Sequence, residues 1–156
     1  MKKIIASFTL VLIACFSMNT AHAQMKYTGF PSLVWPKLYD VKFVKSQDAY
    51  GEYDKPVFSA ATKALNGKVV TLPGYMVPFE KGLKGSKFMF TALPLNACYF
   101  CGVGGPESVV EVYTKAPVSY HEKPVEISGI LKLNDTDPDK MFYIIEQAEI
   151  LGPVGF

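Results

Sequence analysis

From Gly67 onward the apolar residues of this chain recur at every second position, and that period most narrows the folds open to it. Side chains along a strand alternate between the two faces of a sheet, so a period of two marks a half-buried strand rather than a helix. Five stretches carry the pattern: Lys68 to Pro73, Lys87 to Ala92, Val109 to Tyr113, Val125 to Leu133 and Met141 to Leu151. Between them stand turn-forming runs, including Lys81-Gly82-Leu83-Lys84-Gly85-Ser86 and Asn134-Asp135-Thr136-Asp137-Pro138-Asp139. Five short strands rich in β-branched and aromatic residues point to a mainly β protein, a small five-stranded OB-like barrel. Gly129, in the middle of the long fourth strand, suits a bulge or sharp bend that lets one strand serve both halves of such a barrel. A jelly-roll or immunoglobulin-like sandwich is the alternative, and it calls for more strands than the pattern supplies.

One short helix is expected before the first barrel strand. Pro56 is followed by Val57, Phe58, Ala60, Ala61, Ala64 and Leu65 at helical spacing, and Asn66-Gly67 ends the run. Upstream, Gln24 to Tyr39 carries Pro31, Trp35 and Pro36 among apolar residues, an irregular arm or edge segment with Trp35 as a core anchor. The expected organisation is a signal peptide over 1–23, an N-terminal arm and edge segment over 24–55, and the barrel domain over 56–156.

The leader rests on three features. Met1-Lys2-Lys3 is a short positive start, Ile4 to Cys15 is nearly all apolar, and Ala21-His22-Ala23 has the small-x-small form that signal peptidase accepts. The apolar stretch is too short to span a membrane. Leu12-Ile13-Ala14-Cys15 also resembles a lipobox, so lipidation at Cys15, with membrane attachment through it, is the alternative. Either route places the protein outside the cytoplasm, in the periplasm on the first reading.

Without that leader Lys2, Lys3 and His22 are gone. The sixteen basic residues of the whole chain, all lysine, fall to fourteen against fourteen acidic ones, and His121 is the one histidine left. A chain with no basic surplus and no arginine lacks the bidentate fork that grips phosphates and bases, which argues against nucleic acid as a partner. No Gly-x-Ser-x-Gly elbow is present, and one histidine leaves little material for a hydrolytic triad. The glycine runs at 82–85 and 102–105 lack the lysine and following helix of a phosphate loop.

What remains for chemistry is Cys98 and Cys101, in Ala97-Cys98-Tyr99-Phe100-Cys101-Gly102. Two thiols on one tight turn can form a disulfide, half a metal site or a redox couple. Export favours a disulfide staple. So short a ring removes little chain entropy, and its closure contributes of order 2 kcal/mol or less. A zinc or copper ion would need more ligands; His121, Glu107, Glu111 and Glu122 are the candidates to complete a set, with Met76 as a soft sulfur suited to cuprous copper. Redox catalysis is disfavoured, because a reactive thiol of that kind sits at a helix N-terminus whereas Gly102-Val103-Gly104-Gly105-Pro106 leads into a strand.

The segment Gly67 to Pro78 with its Gly74-Tyr75-Met76-Val77-Pro78, the Cys98-Tyr99-Phe100-Cys101-Gly102 loop, Gly105-Pro106 and the Val125 to Gly129 strand together resemble an uncharacterised family of exported bacterial domains. The resemblance spans roughly Trp35 to Leu151. It implies an OB-like barrel and tilts function toward metal handling in the cell envelope. The expectation is therefore an extracytoplasmic, non-enzymatic binding protein that handles a metal through Cys98 and Cys101, helped by Met76, Glu107 and His121. Two other readings stand beside it: an envelope structural or interaction domain, with an envelope protein as partner, and a thiol oxidoreductase.

Overall fold

The computed structural model describes residues 27, 29–48, 51–78 and 84–155. The leader with Cys15 and His22, and the Lys81-Gly82-Leu83 part of the expected turn, lie outside the described residues. The described chain begins with a one-turn helix, α1 (Trp35–Leu38), then strands β1 (Val41–Asp48) and β2 (Gly51–Phe58) and a second one-turn helix, α2 (Ala60–Lys63). Strands β3 (Val69–Met76), β4 (Lys84–Thr91), β5 (Val109–Ser119), β6 (Val125–Leu133) and β7 (Tyr143–Pro153) follow. Each of the five period-two stretches is a strand.

These five form one sheet in the order β3-β4-β5-β7-β6, and β6 pairs back onto β3, so each strand has a neighbour on both sides. All neighbours are antiparallel except β5 and β7, which run parallel, with Glu111 opposite Ile144. Gly129 sits where sequence reasoning placed a bend. The β6–β7 register shifts between Ser128 and Ile130, and Gln147 in the facing stretch of β7 adopts a left-handed φ of 52°. A side chain at Gly129 would meet the Ile145 methyl at 2.5 Å and the Glu146 carbonyl at 2.8 Å, so only hydrogen fits where the two backbones close.

The core fills the inside of this ring with Val70, Leu72, Met76, Phe88, Phe90, Val110, Val112, Val125, Ile127, Leu131 and Ile145. Helix α1 supplies Trp35 and Leu38, both fully buried, to the same core. Three anchors hold it there. The Trp35 Nε1–H donates to the Pro73 carbonyl at 2.7 Å, the Tyr143 hydroxyl donates to the Leu38 carbonyl at 2.6 Å, and the Thr62 hydroxyl donates to the Lys37 carbonyl at 2.6 Å. Ser32 caps the start of the turn by accepting from the Val34 and Trp35 amides.

The expected helix after Pro56 is shorter and later than its spacing predicts. Pro56 to Phe58 belong to β2, where Val57 is exposed and Phe58 buried in strand alternation, and the helix begins only after Ser59, whose hydroxyl accepts from the Thr62 amide. A serine N-cap outweighs the proline signal, because it satisfies an otherwise orphaned amide. The β1–β2 hairpin, which pairs Val41 with Phe58 through to Asp48 with Gly51, was not foreseen as strands. Strand β2 runs unbroken through residues 55 and 56, where arm and domain were expected to meet.

Candidate functional site

The two cysteines lie in the connection from β4 to β5. It leaves the ring at Thr91 and returns at Val109 through three single 3-10 turns, at Leu95–Ala97, Tyr99–Cys101 and Pro106–Ser108. Backbone bonds hold the middle turn tightly. The Cys98 carbonyl accepts from the Cys101 amide at 3.1 Å and the Gly104 amide at 3.5 Å, and the Gly102 amide donates to the Tyr99 carbonyl at 2.9 Å. Gly102 ends the turn at φ 77°, a left-handed conformation that favours glycine.

The sulfurs are free thiols 3.9 Å apart, so the expected disulfide is not formed in this structure. A bonded pair would stand near ~2.05 Å. The Cys101 Sγ donates to the Leu95 carbonyl at 2.8 Å, and the Cys98 Sγ lies against it. Cys98 is buried and Cys101 exposed. The contact with Cys98 pushes the Cys101 thiol above its ordinary range, with a smaller contribution from burial. Such a thiol is the reverse of an activated nucleophile.

The remaining expected ligands are not gathered around this pair. Met76 lies at the end of β3 opposite Phe90, and its side chain is 1% exposed within the hydrophobic core. His121 is exposed in the turn after β5, whereas the cysteine loop precedes that strand. Eleven residues of β5 separate the two, roughly 30 Å at the rise of an extended strand. Glu122 follows His121 and is exposed with it. Glu111 turns into the protein beside β4, where Lys87, Tyr113 and the Met141 amide surround its carboxylate. Among the described residues no three His, Cys, Asp or Glu side chains come together to hold a metal.

Glu107 is buried, as a ligand set folding inward would require, but it faces tyrosines rather than the sulfurs. Its carboxylate lies over Gly105, in the space a side chain there would fill. Burial first, and the Glu107 charge second, push the Tyr39 phenol up to about 12, and the same two causes push Tyr143 up. Ser108 faces Tyr39 and donates its own hydroxyl to the Gly105 carbonyl at 2.6 Å, and among the described residues the buried Tyr39 hydroxyl has no partner at full hydrogen-bond geometry.

Around Cys101 the loop exposes Tyr99, Phe100 and Val103, and the two rings pack edge to face at 5.4 Å. This apolar collar was not foreseen, although the chain signals it: no charged residue occurs between Lys87 and Glu107. A separate cleft of about 520 Å3 opens between β2 and the β6–β7 connection, with Tyr53 and Phe142 beside several carboxylates. Asp54 is paired with Lys45 and Asp137 with Lys140, and Asn134 fixes the connection through its own backbone contacts. None of the cysteine loop lines that cleft.

Comparison with known proteins places residues 21–150 in a match to the family described as "Protein of unknown function (DUF3299)". No curated protein and no solved structure matches the chain.

Proposed function

The chain belongs to the DUF3299 family, whose activity is unknown, so its own side chains must indicate its chemistry; we propose that it is a non-enzymatic, extracytoplasmic binding protein whose Cys98–Cys101 turn takes up a thiophilic metal ion. One observation carries this reading: the free sulfurs stand 3.9 Å apart on a hydrogen-bonded turn. Two thiolates bound tetrahedrally to one ion at ~2.3 Å each stand about 3.8 Å from one another. The spacing is thus that of two corners of a metal site, and nearly twice that of a disulfide. The donor set fits zinc or cuprous copper, since soft thiolates favour both.

The surrounding ring supports an OB-like barrel. Five strands paired in a ring, with β5 and β7 as the one parallel pair, support that reading, and in such barrels loops take part in binding. The short positive and apolar start of the sequence supports export.

Cobalt titration of the reduced protein tests the reading. Thiolate ligation gives intense near-ultraviolet charge-transfer bands that zinc bleaches by displacement. The bands are expected in the wild-type protein and absent after Cys98→Ser with Cys101→Ser. Equal spectra for the two proteins would sink the proposal. Turnover of a disulfide substrate by the wild-type protein would favour the oxidoreductase reading instead.

A further inference from the structure

The geometry points to Cys101 as the thiol through which a small disulfide oxidises this turn, with Cys98 as the thiol that resolves the mixed disulfide, so that oxidation closes the pair and releases the bound ion. The release rests on the metal-binding reading above; the separate roles of the two sulfurs stand without it. Burial distinguishes those roles. Cys101 is exposed, whereas Cys98 is 2% exposed, so a reagent in solution meets Cys101 first. The Cys98 Sγ nevertheless stands 3.9 Å from the Cys101 Sγ on the same turn, which the Cys98 carbonyl closes by accepting from the Cys101 amide at 3.1 Å. A buried sulfur held beside an exposed one is suited to resolve, because its attack is intramolecular and outpaces a second encounter with reagent.

The exchange takes two steps. The Cys101 thiolate, its proton given to solvent, attacks one sulfur of the reagent, whose S–S bond breaks; a mixed disulfide forms at Cys101 and one thiol leaves. The Cys98 thiolate then attacks the Cys101 Sγ, the internal bond forms and the second thiol leaves. Two cysteine thiols are oxidised, and one small disulfide is reduced to two thiols. The Leu95 carbonyl, which accepts from the Cys101 Sγ at 2.8 Å, loses that donor at the first step. The apolar collar of Tyr99, Phe100 and Val103, within the uncharged run between Lys87 and Glu107, suits an uncharged reagent. Contact with Cys98 holds the Cys101 thiol above its ordinary range, so its thiolate is scarce at neutral pH and the exchange is slow, unlike that of a catalytic dithiol. Closure leaves no thiolate pair for an ion, because metal binds deprotonated sulfur.

The experiment treats the reduced full chain with hydroxyethyl disulfide and follows adducts by peptide mapping, which separates Cys98 and Cys101 from Cys15. The wild type is expected to lose both thiols of the turn with no lasting adduct, and to lose with them the charge-transfer bands of bound cobalt, all restored by a reductant. Cys98→Ser is expected to keep an adduct on Cys101. In Cys101→Ser the native protein is expected to leave Cys98 unmodified, and urea to expose it to the reagent. Adducts that form equally fast in the two variants overturn the assignment of roles, as does a wild-type protein that keeps its adduct or its thiols. Because Cys98→Ser puts a hydroxyl in a buried position, limited alkylation of the reduced wild type with iodoacetamide gives the order independently: Cys101 before Cys98 is expected, and an equal or reversed order refutes the assignment. Bands that survive oxidation of the pair refute the release. A reduced protein without bands overturns the metal reading, and the release with it, while the exchange stands.

Discussion

Replacing Glu111 by glutamine should cost about 2 kcal/mol at neutral pH, and the deficit should fade in acid. Glu111 is 1% exposed on β5. One carboxylate oxygen faces the Lys87 ammonium at 2.7 Å and accepts from the Tyr113 hydroxyl at 2.7 Å, and the other accepts from the Met141 amide at 3.2 Å. Glutamine has the same shape but one acceptor. If its oxygen keeps Tyr113, its NH2 group confronts the Met141 N–H and leaves a buried donor unpaired, which costs roughly 1–3 kcal/mol. Loss of the half-exposed Lys87 partner adds only ~0.2–1 kcal/mol. Relief from burying a charge offsets part of this, which leaves about 2 kcal/mol, or roughly 6 °C in Tm for a chain of this size.

The pH dependence has a definite sign. Burial pushes Glu111 up, but Lys87, Tyr113 and the Met141 amide together outweigh it and hold its carboxyl below the usual 4.5. A folded pKa below the unfolded one means that the unfolded chain binds the proton first. The stabilisation is complete above about pH 5 and is lost as pH falls through the folded value. Urea unfolding of the wild type and Glu111→Gln at pH 7 and pH 3 measures the difference directly. A gap that stays constant across that range, or a glutamine variant as stable as the wild type at pH 7, would refute this account of the buried carboxylate.

Two further substitutions test the packing. Gly129→Ala is expected to destabilise by about 2–3 kcal/mol, near the upper end for overpacking, because the Glu146 carbonyl at 2.8 Å cannot rotate aside as a side chain would; a melting temperature within 1 °C of wild type would contradict the close approach of β6 and β7. Tyr39→Phe removes a buried hydroxyl that has no partner among the described residues, so thermal melting should show no loss and up to ~1 kcal/mol of gain; a clear destabilisation would mean that the hydroxyl is bonded after all.

Much of the fold was legible in the chain, and the reasons are local. Strand β6 shows Val125, Ile127, Gly129, Leu131 and Leu133 on one face, a pattern that fixes which side is buried whatever the neighbour. Trp35 was recognisable as a core anchor because so large an apolar surface is rarely left to water. The β1–β2 hairpin was harder, since most of it is exposed and Val41, Pro56 and Phe58, toward the end away from its turn, are the buried residues described, leaving little alternation to detect. Helix α2 was misplaced because Pro56 suits both a helix start and a strand, and the choice turned on the Ser59 cap and on the pairing of Pro56 with Phe43.

By itself the sequence determined a mainly β chain of five strands, a glycine at the bend and a pair of thiols three residues apart, because each of these depends on neighbours along the chain. Only the tertiary structure decided which strands meet, including the parallel pairing of β5 with β7, and which side chains stand near the sulfurs. Met76, Glu107 and His121 were plausible companions by residue type, and they are separated by a core, a tyrosine-lined interior and the length of a strand. Ligand sets are made by residues far apart in sequence, so their spacing in space follows from topology and packing rather than from any local period. The 3.9 Å separation of the two sulfurs, on a turn held by the Cys98 and Leu95 carbonyls, likewise belongs to the tertiary structure.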